Sequence, residues 1–290
     1  MFLSFGIALA LGAQCIGVVD ADIRTFDRKL IDRLFYPVVV LNYQFSKAFY
    51  ARLKDDQLYG RAKRLLLDPL LIALKRKFTD TQEDKVLRIV DFLLNFHYQL
   101  SGEVAFDNNL LRRMHFATNW GVEIFTLIEV YRKASAIAQV EILDGPYDHK
   151  HQPISEDDES RGIHKMGVDI VTTLLNALVI EEGLEISDHF IRDLTLTYLD
   201  VADNLIKMYA DNAAFSGLRY DRNEEEYAVR TVFKDAILLA GDLLISPYRL
   251  TERFLSFVTA NEEFKPFIQS GLAQAIGATG VKLRDQLYET

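Results

Sequence analysis

A single cysteine, Cys15, is all the chain of 290 residues contains, so no internal disulfide can form and nothing points to an oxidising compartment. Six prolines and the lack of any low-complexity tract argue against long disordered stretches. No basic residue precedes Arg24, and a secretory signal needs positive charge ahead of its apolar centre. The apolar opening is also interrupted by Gly6, Gly12, Gln14 and Gly17, short of the about 20 apolar residues of a membrane-spanning helix. A net charge of −9 argues against general nucleic-acid binding. These absences make a globular cytoplasmic protein with no membrane and no nucleic-acid partner the default.

What is present is ordinary in amount and uneven in placement. Hydrophobic residues make up 49% of the chain, enough for a substantial core in one domain with an appendage or in two. The stretch FLSFGIALALGA predicts a buried helix closed by Gly12, and CIGVV a short buried parallel strand. A helix with a cap-like Thr25 follows and stops at Pro37. VVLNYQFSKAFYAR has the content of a strand. Arg61 to Lys77 reads as a helix that Pro69 bends or breaks. A helix from about Glu83 to Phe96 leads into a loop, HYQLSGEVAF, and SAIAQVEIL is a strand entering the polar loop DGPYDHKHQPIS. Beyond Glu156 apolar residues recur at three- and four-residue spacing with no strand-like segment. The expected organisation is an α/β domain over 1–155 and a helical region over 156–290.

Several groups could carry chemistry. Asp20 and Asp22 stand two apart at the end of an apolar strand, where both leave one face at the edge at which open α/β sheets bind ligands. They suit a divalent metal such as magnesium or manganese, or simply form a solvated turn. His149 and His151 occupy the loop after a strand, where they could share a metal, divide between metal and phosphate, or be surface residues. Zinc is disfavoured because no second Cys or His cluster lies at ligand spacing. Gly102 with Glu103 and Gly121 with Glu123 combine glycine, which lets backbone approach a ligand, with a carboxylate that could equally serve a helix terminus. His97, His115 and His164 read as structural, and Trp120 as core. From Lys47 to Phe78, nine basic residues face three acids, either a solvated helix face or a site for a phosphorylated small molecule.

The order VVDADI, YGRAKRLLLDPL, LSGEVAF, NWGVEI and AIAQVEILDGPYDHKHQPIS resembles the glucosyl-3-phosphoglycerate synthases, metal-dependent retaining glycosyltransferases of the GT-A (Rossmann-like) fold. The resemblance covers residues 1 to about 155. It implies glucose transfer from a nucleotide-glucose, UDP- or GDP-glucose, to 3-phosphoglycerate, with Mg2+ or Mn2+ as cofactor and dimerisation through the helical region. By resemblance Asp22 is a metal ligand, Asp20 lies nearer the nucleotide ribose, and His149 completes the metal site. Gly60, Arg61 and Lys63 grip the acceptor, with His151 also on that side. Glu123 positions the donor sugar at the reacting carbon, and Gly102 with Glu103 lines the sugar pocket. Family members carry βα units and a Gly-Lys-Gly turn ahead of the helix that here starts at Met1, so the resemblance predicts an N-terminally incomplete donor site. Two other functions fit the same residues: a non-catalytic remnant that binds phosphorylated metabolites, and a metal-dependent phosphohydrolase using the Asp and His groups as ligands.

Overall fold

The computed structural model describes residues 2–81, 84–145, 162–245 and 255–256. Helix α1 (Phe2–Ala10) buries Phe5 and Leu9 and closes at Gly12, whose φ of +81° is a left-handed conformation that suits glycine. Strand β1 (Cys15–Val18) follows, then α2 (Arg28–Val39), which buries Leu30, Leu34 and Val38 at four-residue spacing. Asp27, not Thr25, caps α2, accepting from the Lys29 N–H, and Pro37 lies inside the last turn instead of ending the helix. Strand β2 (Phe45–Phe49) is followed by the hairpin β3 (Leu53–Lys54) and β4 (Gln57–Leu58).

The stretch from Arg61 is helical as expected, but it opens as a π-helical segment, Ala62–Leu67, before α3 (Asp68–Thr81). Pro69 has no N–H to give to the Leu65 carbonyl one turn earlier. The Tyr198 hydroxyl donates to that carbonyl instead, at 2.6 Å, so the proline is absorbed without an orphaned acceptor.

Helix α4 (Asp84–Leu94) leads to β5 (Val104–Asp107), so the last three residues of the expected loop HYQLSGEVAF belong to a buried strand. Then come α5 (Asn108–Arg113), β6 (His115–Phe116), α6 (Val122–Lys133) and β7 (Ile137–Glu141). The C-terminal part holds α7 (Gly162–Glu182), α8 (Asp188–Phe215), α9 (Arg222–Tyr227), a second π-helical segment Ala228–Phe233, and α10 (Lys234–Ile245). Strand β8 (Leu255–Ser256) pairs with β6, a small β element in a region whose spacing predicts helices alone. The expected boundary near 155 lies outside the described residues.

The main sheet is mixed, in the order β1-β5-β2-β7. Strand β5 runs antiparallel to both β1 and β2, while β2 and β7 are parallel. This corrects the expectation of a parallel β1: a returning strand inserts between β1 and β2, and β1 borders the described sheet with only Ile16 buried. On one face α2 packs against Ala48, Tyr50, Ala105 and Ile142. On the other, Phe45 and Phe106 join one large core with α1, α3, α4 and the C-terminal helices. The fold is therefore α/β with a helical C-terminal region that shares its core with the sheet. Helix α7 is long and apolar enough to cross a membrane, yet Ile170, Val171, Leu174, Leu175 and Leu178 are buried in this core.

Candidate functional site

The sheet topology gathers four separated segments at one edge. Strands β1 and β2 end there, antiparallel β5 begins there, and Val18 and Lys47 both stand opposite Val104. Asp20 follows β1, while Ser101, Gly102 and Glu103 precede β5, so the two segments meet. A Cβ on Gly102 would lie 2.9 Å from Asp20 Oδ1, closer than a side chain tolerates. Only glycine lets this backbone approach the carboxylate. Helix α6 brings Glu123 in its first turn, and the N-cap of α6, Gly121, is seated against Thr173 of α7.

Beneath this edge lies an internal cation. Lys47, on β2, is 1% exposed, and its ammonium donates a 2.7 Å hydrogen bond to the Ser101 carbonyl. Burial pushes its pKa down, while the negative charges of Glu123 and Glu103 hold it up. Glu103 is fully buried and accepts from the Tyr50 hydroxyl at 2.8 Å. Burial raises the Glu123 carboxyl, with Asp20 and Glu103 adding to the effect, against its own backbone N–H and Lys47. Asp20 touches solvent, but the protein crowded around its carboxyl raises it to about 6, with Glu103 and Asp22 contributing and Arg52 opposing. This edge thus gathers more acidic than basic side chains.

That imbalance bears on what the site can hold. Mutually repelling carboxylates offer hard oxygen donors, and Asp20 with Asp22 fits a divalent cation on that ground. Among the described residues no three His, Cys, Asp or Glu side chains form a ready metal cage. His149 and His151 lie outside the described residues.

The acceptor candidates are built into a second cluster. Gly60 has φ +82°, and a Cβ there would sit 3.2 Å from the Tyr98 hydroxyl, which in turn lies 3.4 Å from Arg52 Nη1. The Gly60 carbonyl accepts from the Lys63 and Arg64 N–H groups as the π-helical segment opens. Arg61 forms a 2.6 Å ion pair with Glu224 and approaches Glu225 at 3.9 Å. Lys63 pairs with Asp68. Buried Arg64 meets Glu225 through two hydrogen bonds of 2.8 and 2.7 Å. Farther on, Lys75, Arg76 and Lys77 pair with Asp91, Asp200 and Asp193. The basic run is neither a bare solvated face nor an open cationic patch; acids, several from the C-terminal helices, neutralise much of it.

Sequence spacing brings out Asp20, Gly102, Glu103 and Glu123, and the structure brings these together. It does not single out Lys47, Tyr50, Arg52 or Tyr98. For Lys47 a signal exists: it lies between Phe45 and Phe49 at every-second-residue spacing in a short apolar strand, an unusual place for an ammonium. The histidines also have partners that spacing could not reveal. His115 bonds to buried Glu129 at 2.8 Å, His164 to Asp235 at 3.0 Å, and the His97 ring packs at a tilt against Phe49. Trp120, expected in the core, is 48% exposed.

No family model matches the chain. Two curated relatives are a glucosyl-3-phosphoglycerate synthase from Persephonella marina, 39% identical over 242 residues, and one from Methanococcoides burtonii, 35% identical over 248. The matches cover 82 and 83% of this chain but 57 and 58% of the relatives, so the chain spans little more than half their length. A solved glucosyl-3-phosphoglycerate synthase from Mycobacterium tuberculosis, in complex with Mn2+, UDP-glucose and phosphoglyceric acid, is 26% identical with a TM-score of 0.43. That match covers 60% of this chain and 51% of the other. Over most of its own length, then, the chain is a homologue of glucosyl-3-phosphoglycerate synthases.

Proposed function

We propose that the chain is a metal-dependent glucosyltransferase of the GT-A type that moves glucose, with retention, from a nucleotide-glucose to the hydroxyl of 3-phosphoglycerate. The observation that carries this is the convergence of Asp20, Gly102, Glu103 and Glu123 at the sheet edge that holds Lys47, in a chain 39% identical over 242 residues to a relative named for this reaction. Asp22 with His149 would hold Mg2+ or Mn2+, with Asp20 beside them nearer the nucleotide ribose, and the metal when bound would neutralise charge developing on the departing diphosphate. Glu103 and Gly102 line the sugar pocket, and Glu123 orients the sugar. Positive charge that develops at the sugar carbon meets the carboxylates of Glu103 and Glu123, held in place before reaction begins. Gly60 and Arg61, with Lys63, take the acceptor's phosphate and carboxylate. His151 serves the same side. The protein acts in the cytoplasm.

The test is incubation with UDP- or GDP-glucose labelled in the sugar, 3-phosphoglycerate and Mg2+ or Mn2+, followed by product separation. Labelled glucosyl-phosphoglycerate with the α configuration of the donor is expected. Binding of 3-phosphoglycerate without transfer from either donor would favour a non-catalytic protein, and phosphate release without sugar transfer a hydrolase.

A further inference from the structure

Glu224 belongs to the C-terminal helices, yet it occupies the guanidinium of Arg61 as an anionic ligand would. Its carboxylate stands 2.6 Å from Arg61 Nη2, and its side chain is 40% exposed against 13% for Arg61. The neighbouring Glu225 is different. It is buried, bonded twice to Arg64 and once to the Tyr220 hydroxyl at 2.9 Å, and so is fixed in place. The segment that bears both acids is fastened beside the acceptor candidates. The Arg219 N–H donates to the Asp56 carbonyl at 2.7 Å, and the Arg219 side chain donates to the Asp55 carbonyl. One acid of the pair is therefore fixed in the interior, and the other is within reach of solvent.

We propose that Glu224 is an acceptor-site residue supplied by the C-terminal region, a carboxylate placeholder that an incoming phosphate or carboxylate must displace from Arg61. The proposal rests on the assignment of Arg61 to the acceptor and adds a specificity determinant to it. A partly exposed ion pair contributes little to stability, so its exchange for a ligand is inexpensive. A dianionic phosphate competes for the planar guanidinium better than one carboxylate does, while weaker monoanions are kept out. Selection for strongly charged acceptors then comes from competition inside the protein, in addition to the cations themselves.

Calorimetric titration with 3-phosphoglycerate, and separately with inorganic phosphate, tests this on the full chain. Glu224→Gln is expected to tighten both ligands about three- to tenfold at low salt with no loss of thermal stability. Arg61→Gln should weaken both, and the double variant should match Arg61→Gln alone, because the glutamate acts only through the arginine. Glu225→Gln is the contrast: it should lower the melting temperature by stripping buried Arg64 of its partner. Unchanged or weaker binding in Glu224→Gln, with Arg61→Gln still weakening it, overturns the placeholder. Absence of any effect of Arg61→Gln overturns the acceptor assignment beneath it, and failure of both wild type and Glu224→Gln to bind overturns both.

Discussion

The Lys47 ammonium donates a 2.7 Å hydrogen bond to the Ser101 carbonyl, one residue before the glycine that touches Asp20. Through this contact and its attraction to Glu123 and Glu103, one buried cation links β2, the segment entering β5, and the first turn of α6. Burying an ammonium is costly unless charge and hydrogen bonds compensate it. An apolar side chain would be less costly to bury at this position, so the lysine is the residue of this strand to test for a part in the proposed chemistry.

Lys47→Met is therefore expected to keep the fold and lose turnover. Methionine has similar length, but taking one partner out of a buried charge cluster is destabilising, so the melting temperature should fall while the chain still folds. Without the cation, Glu123 and Glu103 lose their countercharge and Ser101 its donor. Glucosyl transfer should fall by about 100-fold in kcat with a smaller change in the KM for acceptor. Steady-state kinetics beside thermal melts checks this; an unaltered kcat would remove Lys47 from the machinery.

Gly102→Ala should act on Asp20 rather than on the core. The new methyl would stand 2.9 Å from Asp20 Oδ1, and because Asp20 reaches solvent, the carboxylate can swing aside at little cost to folding. A displaced Asp20 weakens any cation held with Asp22. The expected result is a melting temperature within about 2 °C of wild type and Mn2+ affinity, measured by calorimetry, reduced at least about tenfold.

How far these features could be read in the sequence depends on their range. Asp20, Gly102, Glu103 and Glu123 announce themselves through short local patterns, and the helix closed at Gly12 obeys a local rule as well. The place of β5 does not: VAFD is too short to separate from a loop, and its insertion between β1 and β2 is settled by pairing partners far along the chain. The same limit hid the neutralisation of the basic run. Arg61 and Arg64 precede their partners Glu224 and Glu225 by more than 150 residues, a separation at which sequence spacing carries no geometric information. Lys47 was legible only in part, since its strand was visible but its carboxylate partners come from other segments.

Tyr198→Phe tests the accommodation of Pro69. Removing the hydroxyl strands the buried Leu65 carbonyl, an acceptor that Pro69 cannot serve. An unsatisfied buried acceptor costs about 1–3 kcal/mol, and the melting temperature should fall by roughly 2–4 °C for each of those. A phenylalanine variant as stable as wild type would mean that another donor reaches Leu65.

Cys15, the sole thiol, gives a pH test that needs no activity. Burial pushes its pKa up to about 11 from 9.0, and the charge of Asp107 adds to the rise. The raised value means that the folded protein favours the thiol, so reactive thiolate stays scarce until pH approaches the raised value. At pH 8 the folded chain should react with iodoacetamide about 100-fold more slowly than the denatured chain, through thiolate content alone. The folded rate should keep climbing well above pH 9, where that of the denatured chain levels off. Asp107→Asn should quicken the reaction modestly, since it removes the secondary cause and leaves burial in place. A folded rate equal to the denatured one at pH 8 would show that β1 opens on the timescale of labelling, with the thiol reaching solvent.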